Sequence, residues 1–333
     1  NPSSSNSIYD GRKMKFDFQN TLNLGKPLSL TLGVENEKET ALSDYFIFSQ
    51  YGNFVSTFPL KSAITNGIFI EDQSNISDLF FFNLGIRYDH HNKFGNALTY
   101  RIAPAFIIWE TGTKLKATYG TGFKTPSLFY LFDPSFGNEN LKPEKSTGWD
   151  AGIEQFLFDN DLSAGVTYFR NTFDDLFGFD QNFKTINVDK SESYGLEFYV
   201  TVVPLQRLKI KSNYTYTKTK DLSDNSPDKN LPLLRRPVHK GVLSANYSFL
   251  QKFNANLEII FVGKRDDKYF NGTQSERIQL NTYTLINFAA SYDVFNYLEL
   301  HASVNNVLDT YYEEVYGYAT PRLSVYGGFK IKI

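Results

Sequence analysis

Leu323-Ser324-Val325-Tyr326-Gly327-Gly328-Phe329-Lys330-Ile331-Lys332-Ile333 alternates residue by residue, and that alternation decides the fold. Successive side chains of an extended strand point to opposite faces. Leu323, Val325, Phe329, Ile331 and Ile333 therefore share one face, and Ser324, Tyr326, Lys330 and Lys332 the other. The same period runs through the chain. Met14, Phe16, Phe18, Leu22 and Leu24 oppose Lys13, Lys15, Asp17, Gln19, Thr21 and Asn23. Leu28, Leu30, Leu32 and Val34 oppose Ser29, Thr31, Gly33 and Glu35; Leu115, Ala117 and Tyr119 oppose Lys114, Lys116 and Thr118. Leu208, Ile210, Tyr214 and Tyr216 oppose Lys209, Lys211, Asn213 and Thr215. Leu298, Leu300, Ala302 and Val304 oppose Glu299, His301, Ser303 and Asn305.

The implied strands run to roughly 10–12 residues, enough for a tilted strand to cross a bilayer and about twice the globular average. Hydrocarbon leaves no partner for an open backbone group, so spanning strands must close on themselves. The expected fold is an all-β, antiparallel transmembrane β-barrel. A secreted soluble β protein is the competing reading, but its inner face would be dry, and lysines fall too regularly on the polar face here.

Composition agrees. Among 333 residues, 31 Phe and 22 Tyr supply most of a 17% aromatic share, while mean hydropathy stays on the polar side. A lipid-facing sheet needs apolar residues only at alternate positions. The 34 basic and 36 acidic residues leave a formal charge of -2, without the basic footprint of a nucleic-acid binder, so no nucleic-acid partner is expected. The chain has no Cys, which removes disulfides, thiolate zinc sites and cysteine nucleophiles. No apolar run of about 18 residues offers a spanning helix. Residues 1–10 lack the basic start and apolar stretch of a signal peptide.

Connections alternate between short and long. Short ones fall at Gly25-Lys26-Pro27, Ser74 to Asp78, Glu110-Thr111-Gly112, Asp159-Asn160, Pro204-Leu205-Gln206, Gln251-Lys252 and Asn296-Tyr297. Long ones fall at 36–61, 122–144, 173–190, 220–236, 263–281 and 309–321, with a tighter one at 90–96. In outer-membrane barrels short turns face the periplasm and long loops the exterior. This scheme gives about fifteen strands. With the last strand running inward, the strand near Arg12–Leu24 also runs inward, which puts residues 1–11 outside the cell. A self-contained bacterial barrel has an even count. The division expected is therefore an exterior loop remnant over 1–11 and part of a barrel over 12–333, with no plug domain.

Several blocks resemble TonB-dependent outer-membrane receptors, most closely the cobalamin-receptor group. They are Gly67-Ile68-Phe69-Ile70-Glu71-Asp72-Gln73, then Arg87-Tyr88-Asp89 with Phe94-Gly95-Asn96-Ala97-Leu98-Thr99-Tyr100-Arg101. Tyr119-Gly120-Thr121-Gly122-Phe123-Lys124-Thr125-Pro126-Ser127-Leu128 leads into Gly137-Asn138-Glu139-Asn140-Leu141-Lys142-Pro143-Glu144-Lys145-Ser146, and Val304-Asn305-Asn306-Val307-Leu308-Asp309 precedes a Tyr-rich tail. The resemblance covers 62–333. Thr320-Pro321-Arg322 lacks the family's usual Gly, and Ile333 stands where an aromatic residue is commoner. The resemblance implies a complete barrel of about 22 strands, of which this chain is the C-terminal part. It also implies an N-terminal plug and upstream strands outside this chain, TonB contacted through that plug, outer-membrane lipid around the wall, and a bulky, scarce small-molecule nutrient as ligand: cobalamin or a metal-chelate siderophore. Localisation would be the bacterial outer membrane. A passive pore or adhesin without energy coupling is the alternative.

Lys13, Lys15, Lys114, Lys116, Lys209, Lys211, Lys330 and Lys332 are expected to line a hydrated bore with Asp17, Glu35 and Glu258, or to guide a charged solute along it. The long loops are dense in rings, which stack on flat ligands or form an interfacial girdle. The ligand-contact candidates are Arg265, Asp266, Asp267, Tyr269 and Phe270, with Tyr130, Phe132, Tyr316 and Tyr318. Asp89-His90-His91 places adjacent His on opposite strand faces, a poor arrangement for a metal. Asp174-Asp175 and Glu313-Glu314 are weak calcium candidates whose default is solvated loop charge. No Ser–His–acid pattern stands out, so the expectation is no enzyme, no catalytic residue, no metal site and no cofactor.

Overall fold

The computed structural model describes residues 4–25, 27–49, 52–179, 184–224, 226–249 and 252–332. Expectations placed on residues 1–3, Lys26, Gln251, Ile333 and 180–183 lie outside these.

The chain is strand after strand: β1 (Ser4–Asn23), β2 (Leu28–Ser49), β3 (Gly52–Ile76), β4 (Phe80–His91), β5 (Gly95–Ile108) and β6 (Thr113–Lys124). The short helix α1 (Leu128–Phe132) precedes β7 (Glu144–Leu157), β8 (Leu162–Phe179), β9 (Thr185–Leu205) and β10 (Leu208–Asp221). There follow β11 (His239–Phe249), β12 (Phe253–Val262), β13 (Arg265–Phe270), β14 (Ser275–Leu280), β15 (Tyr283–Phe295), β16 (Leu298–Asn305) and β17 (Ser324–Ile331). Fifteen of these form one sheet in sequence order, every neighbour pair antiparallel, while β13 and β14 pair with each other as a separate hairpin between β12 and β15. Among the described residues β1 pairs only with β2 and β17 only with β16. With an odd number of strands, β1 and β17 run the same way, as the alternating connections required.

Register carries one parity of side chain across the whole wall. Lys15 faces Glu37, Asp17 faces Glu35, Glu35 faces Gly67, and Gly67 faces Asp89. The opposite parity is apolar and open: Met14 is 75% exposed, Val325 70% and Phe329 67%. Each such side chain forgoes ~1.5–3 kcal/mol if left in water, so roughly ten of them would cancel a domain's entire stability. Lipid on that face removes the deficit. The buried apolar side chains, Phe58, Leu128, Leu131, Leu141, Val262, Leu280 and Tyr283 among them, sit at the exterior end instead. Among the described residues the spanning part has no buried apolar cluster.

The lipid-facing band has visible edges. At the exterior end Asn36 donates to Asn66 at 2.7 Å, and His90 meets Asn96 at 2.8 Å, all on the outward parity. At the turn end the Trp109 indole donates to the Asp78 carbonyl at 2.9 Å, and Phe295 stacks on Tyr297 at 5.3 Å. Rings with one polar end suit these interfaces. Asp72 is an outward carboxylate within the band, held by the Ser74 hydroxyl at 2.9 Å.

Three expected loop segments are corrected. Residues 36–61 are not a loop: β2 and β3 stay paired up to Ser49 and Gly52. Residues 173–190 likewise continue β8 and β9, paired up to Phe179 and Thr185. Residues 4–11, expected as loop, extend β1 against Ala41–Phe48. In the tall hairpin apolar residues fall on both faces, as in Tyr45-Phe46-Ile47-Phe48, and some pack under the β6–β7 connection, so the two-residue period is lost while the backbone ladder persists.

Ile70 stands mid-band between Leu32 and Ile86. Ile70→Lys is expected to cost about 2–4 kcal/mol of unfolding free energy in lipid vesicles, whereas Thr99→Lys on the bore parity costs under about 1 kcal/mol. Equal costs in denaturant titrations would mean the two faces are misassigned.

Candidate functional site

The bore wall is a lattice of opposed charges created by strand register. The Lys13 amine lies 2.6 Å from Glu37 and 3.5 Å from Glu39, and Lys15 lies 2.8 Å from Glu35. Arg87 joins Glu35 at 3.2 Å and Asp89 at 2.6 Å. Farther round, Glu154 takes Lys114 at 3.2 Å and Lys116 at 2.6 Å, and Glu258 accepts from the Asn287 amide at 3.0 Å. Sequence reading missed Glu37, Glu39, Arg87, Asp89 and Glu154. The signal was present, because Glu35, Glu37 and Glu39 keep the period that Lys13 and Lys15 begin. Rings on this wall lie flat over glycines: a Cβ on Gly33 would stand 2.1 Å from the Phe69 ring, and one on Gly165 2.4 Å from the Tyr199 ring.

Over one sector of this wall sits the β6–β7 connection. The Ser127 hydroxyl accepts from the Tyr130 amide at 3.1 Å and caps α1. Leu128 joins Ala41, Phe58 and Ala63 in a small core, with Phe129 and Phe132 packed against it. The loop is pinned to the tall hairpin where the Ser56 hydroxyl donates to Asp133 at 2.9 Å, whose other oxygen accepts the Ser135 and Phe136 amides. Tyr130 meets Phe177 and Phe179 edge-on at 5.6 and 6.1 Å. Phe132 is flanked by the Lys61 and Lys93 amines at 4.6 and 5.5 Å. Beneath this loop opens a cavity of about 620 Å³ lined by Tyr130, Phe177, Lys13, Glu35, Glu37 and Arg87. It joins loop rings to bore charges in one volume.

The second ring cluster rests on a charged frame. Arg265 is buried and donates to the Asn281 carbonyl at 3.2 Å and to the Glu313 carbonyl, its guanidinium 5.1 Å from the Tyr283 ring centre. Asp266 accepts from Arg277 at 3.0 Å, and Asp228 takes Arg277 at 3.1 Å and also Lys268. Asp267 has no exposed surface; it accepts from Arg235, the Tyr316 amide and the Lys268 amide, each at 2.8 Å. The cluster Arg265-Asp266-Asp267 thus ties loops 222–238, 263–282 and 306–323 together, with its polar atoms turned to protein. Tyr269 donates to Glu276 at 3.0 Å and packs 5.0 Å from Tyr316. Phe270 and Tyr318 are free at 67% and 71% exposure. No ring contact joins this cluster to the Tyr130 cluster among the described residues.

The remaining candidates have local partners. His90 and His91 do point apart, His90 to Asn96 and His91 onto Phe94 at 4.8 Å. Asp174 pairs with Lys190 at 3.1 Å, and Glu313 accepts from the Tyr311 hydroxyl at 2.8 Å.

Burial by itself would raise the Asp267 carboxyl, but the Tyr316 and Lys268 amides and Arg235 outweigh it, and its pKa falls below the ordinary value. A depressed folded-state pKa adds stability that is present above the unfolded value and lost as pH falls through the folded one. Loops 263–282 and 306–323 are therefore expected to gain proteolytic susceptibility below the usual carboxylate range. Asp267→Asn should show that susceptibility already at pH 7, with the barrel intact by far-UV circular dichroism. Unchanged cleavage in the variant would show that the frame does not depend on this charge.

Known proteins resemble this chain in sequence or fold. The sequence model of the family described as TonB dependent receptor-like, beta-barrel matches residues 1–307. The vitamin B12 transporter BtuB of Vibrio cholerae is 29% identical over 251 residues, which cover 72% of this chain and 38% of that protein. The ferric enterobactin receptor PfeA of Pseudomonas aeruginosa superposes with a TM-score of 0.77 at 20% identity, over 97% of this chain and 54% of that one. The copper transporter OprC superposes at 0.75 with 16% identity, over 97% of this chain and 57% of that one. At these identities the two structures share the fold alone.

Proposed function

We propose, for a chain that belongs to the TonB-dependent receptor-like β-barrel family, that it forms the wall and capture loops of an energy-coupled importer in the bacterial outer membrane. Its cargo is a bulky, scarce nutrient of the cobalamin or metal-chelate class. The observation that carries this reading is the cavity under α1, where Tyr130 and Phe177 meet Lys13, Glu35, Glu37 and Arg87. Rings give a flat ligand a stacking surface. The paired charges give it a hydrated wall along which polar groups exchange partners with little barrier.

In this reading Tyr130, Phe132, Phe270, Tyr316 and Tyr318 touch the ligand, and Arg265, Asp266, Asp267 and Tyr269 hold the loops that present them. The edges of β1 and β17 need partners in hydrocarbon. Further strands and a plug that gates the bore and meets TonB come from polypeptide outside these residues. This matches a chain that spans about two fifths of its curated relative. No chemical transformation of the ligand is assigned to any residue.

The test is equilibrium binding to the full chain in detergent micelles, with cyanocobalamin and a ferric catecholate chelate as separate probes. Saturable binding of one of them is expected, and Tyr130→Ala should weaken it about tenfold, ~1.4 kcal/mol. Ion conductance in planar bilayers with no binding of either probe, or binding untouched by Tyr130→Ala, would favour a passive pore.

A further inference from the structure

The outward face of β7–β10 carries a feature that neither the bore nor the loops explain. Register lays three rows across it. Trp149, Arg170, Tyr194 and Lys218 are direct cross-strand partners. Above them run Thr147, Thr172, Glu192 and Lys220, and above those Lys145, Asp174 and Lys190. The row below is Ala151, Tyr168, Leu196, Tyr216 and His239, the aromatic edge of the lipid band. Trp149 and Tyr168 lie 5.2 Å apart there, and Tyr216 and His239 5.4 Å.

Immediately exterior to that edge, five cations face two carboxylates, Lys145, Arg170, Lys190, Lys218 and Lys220 against Asp174 and Glu192. Arg170 uses Glu192 at 2.7 Å and Lys190 uses Asp174 at 3.1 Å. Among the described residues Lys145, Lys218 and Lys220 meet no carboxylate; Lys218 lies 5.8 Å from the Tyr216 ring centre. Asp224 also lies near Lys190 but has Lys229 as its own partner at 2.6 Å, so five cations less two carboxylates leave three net positive charges on the patch. Elsewhere the first outward residues beyond the belt are neutral, Asn36, Asn66, His90 and Asn96, and the cations above them stand singly, Lys38 on β2 and Arg12 on β1, the latter paired with Asp10 at 3.0 Å. Surplus lysines on a solvated loop need no account. These lie on rigid strands at headgroup level, where rows about 7 Å apart on strands about 4.8 Å apart place several ammonium groups within reach of one headgroup.

We propose that this patch is a binding site for the phosphate-bearing headgroup of an outer-leaflet lipid. Lys145, Lys218 and Lys220 contact the phosphates, Arg170 and Lys190 support them, and Trp149 and Tyr168 lie against the upper acyl chains. The charge of the site complements the ligand, and the ring belt fixes its depth.

Trp149 reports on the site directly, because the chain has two Trp and Trp109 lies at the opposite turn end. In the full chain carrying Trp109→Phe, held in uncharged detergent, Trp149 emission is followed while bis-phosphorylated lipid A is titrated. Parallel titrations use the same lipid with one phosphate and with none. Saturable change is expected, with affinity falling as phosphates are removed. Substituting Lys145, Lys218 and Lys220 together by Gln should weaken binding on the order of a hundredfold, and Lys220→Gln alone about fivefold. Lys38→Gln, an outward cation on β2, should leave it unchanged. Equal binding of the phosphate-free lipid, full affinity in the triple variant, an equal loss in Lys38→Gln, or displacement by inorganic phosphate at matched concentration would each overturn the site. If the triple variant does not fold, the Lys220→Gln affinity and its decline with added salt decide the matter alone.

Discussion

A backbone amide in hydrocarbon has no partner except another backbone group, and the rest of this structure answers to that constraint. It forces strands to lie side by side in one antiparallel series, which the fifteen-stranded sheet does from β1 to β17. It also splits every strand into two populations of side chain. One must satisfy lipid, and the other is left to build whatever the protein needs inside. Met14, Leu98 and Phe329 belong to the first population and are exposed without cost only because their solvent is apolar. Lys13, Glu37 and Arg87 belong to the second and are tolerated because cross-strand register brings opposite charges together.

Outside the membrane the constraint relaxes, and a different logic takes over. Strands β2 and β3 continue well past the polar edge at Asn36 and Asn66, gathering a small core from Ala41, Phe58, Ala63 and Leu128. Among the described residues the second group of loops has no buried cluster like it and is knitted by ion pairs centred on Asp266 and Asp267. A buried carboxylate with three donors is costly to disrupt, since removing a partner leaves charge stranded. The exposed rings of Phe270 and Tyr318 belong to loops whose backbone Arg235, Arg277 and Asp267 hold in place.

Strand periods and turn positions were legible because lipid demands the same apolar alternation everywhere. Turns such as Glu110-Thr111-Gly112 and Asn296-Tyr297 interrupt the period cleanly. The tall hairpin was not legible: between Glu37 and Lys61 apolar residues occupy both faces and some pack into the small core, so the alternation that marks the spanning strands is missing. The role of Arg265-Asp266-Asp267 was hidden for another reason. Three charges beside a tyrosine look like a ligand cluster, but their partners Arg235 and Tyr316 come from loops about 30 and 50 residues distant. Register, by contrast, would have exposed Glu37 and Glu39 as partners of Lys13, had the alternation been extended past Glu35.

The most direct measurement uses the natural absence of Cys to place one spin label at a time on Leu115, Lys116, Ala117, Thr118 and Tyr119 in lipid bilayers. Collision rates with dissolved oxygen, which concentrates in lipid, should be high at 115, 117 and 119. Rates with a water-soluble nickel chelate should be high at 116 and 118. A flat profile, or the chelate reaching the odd positions, would contradict the two-faced wall on which the fold, the bore and the lipid site all depend.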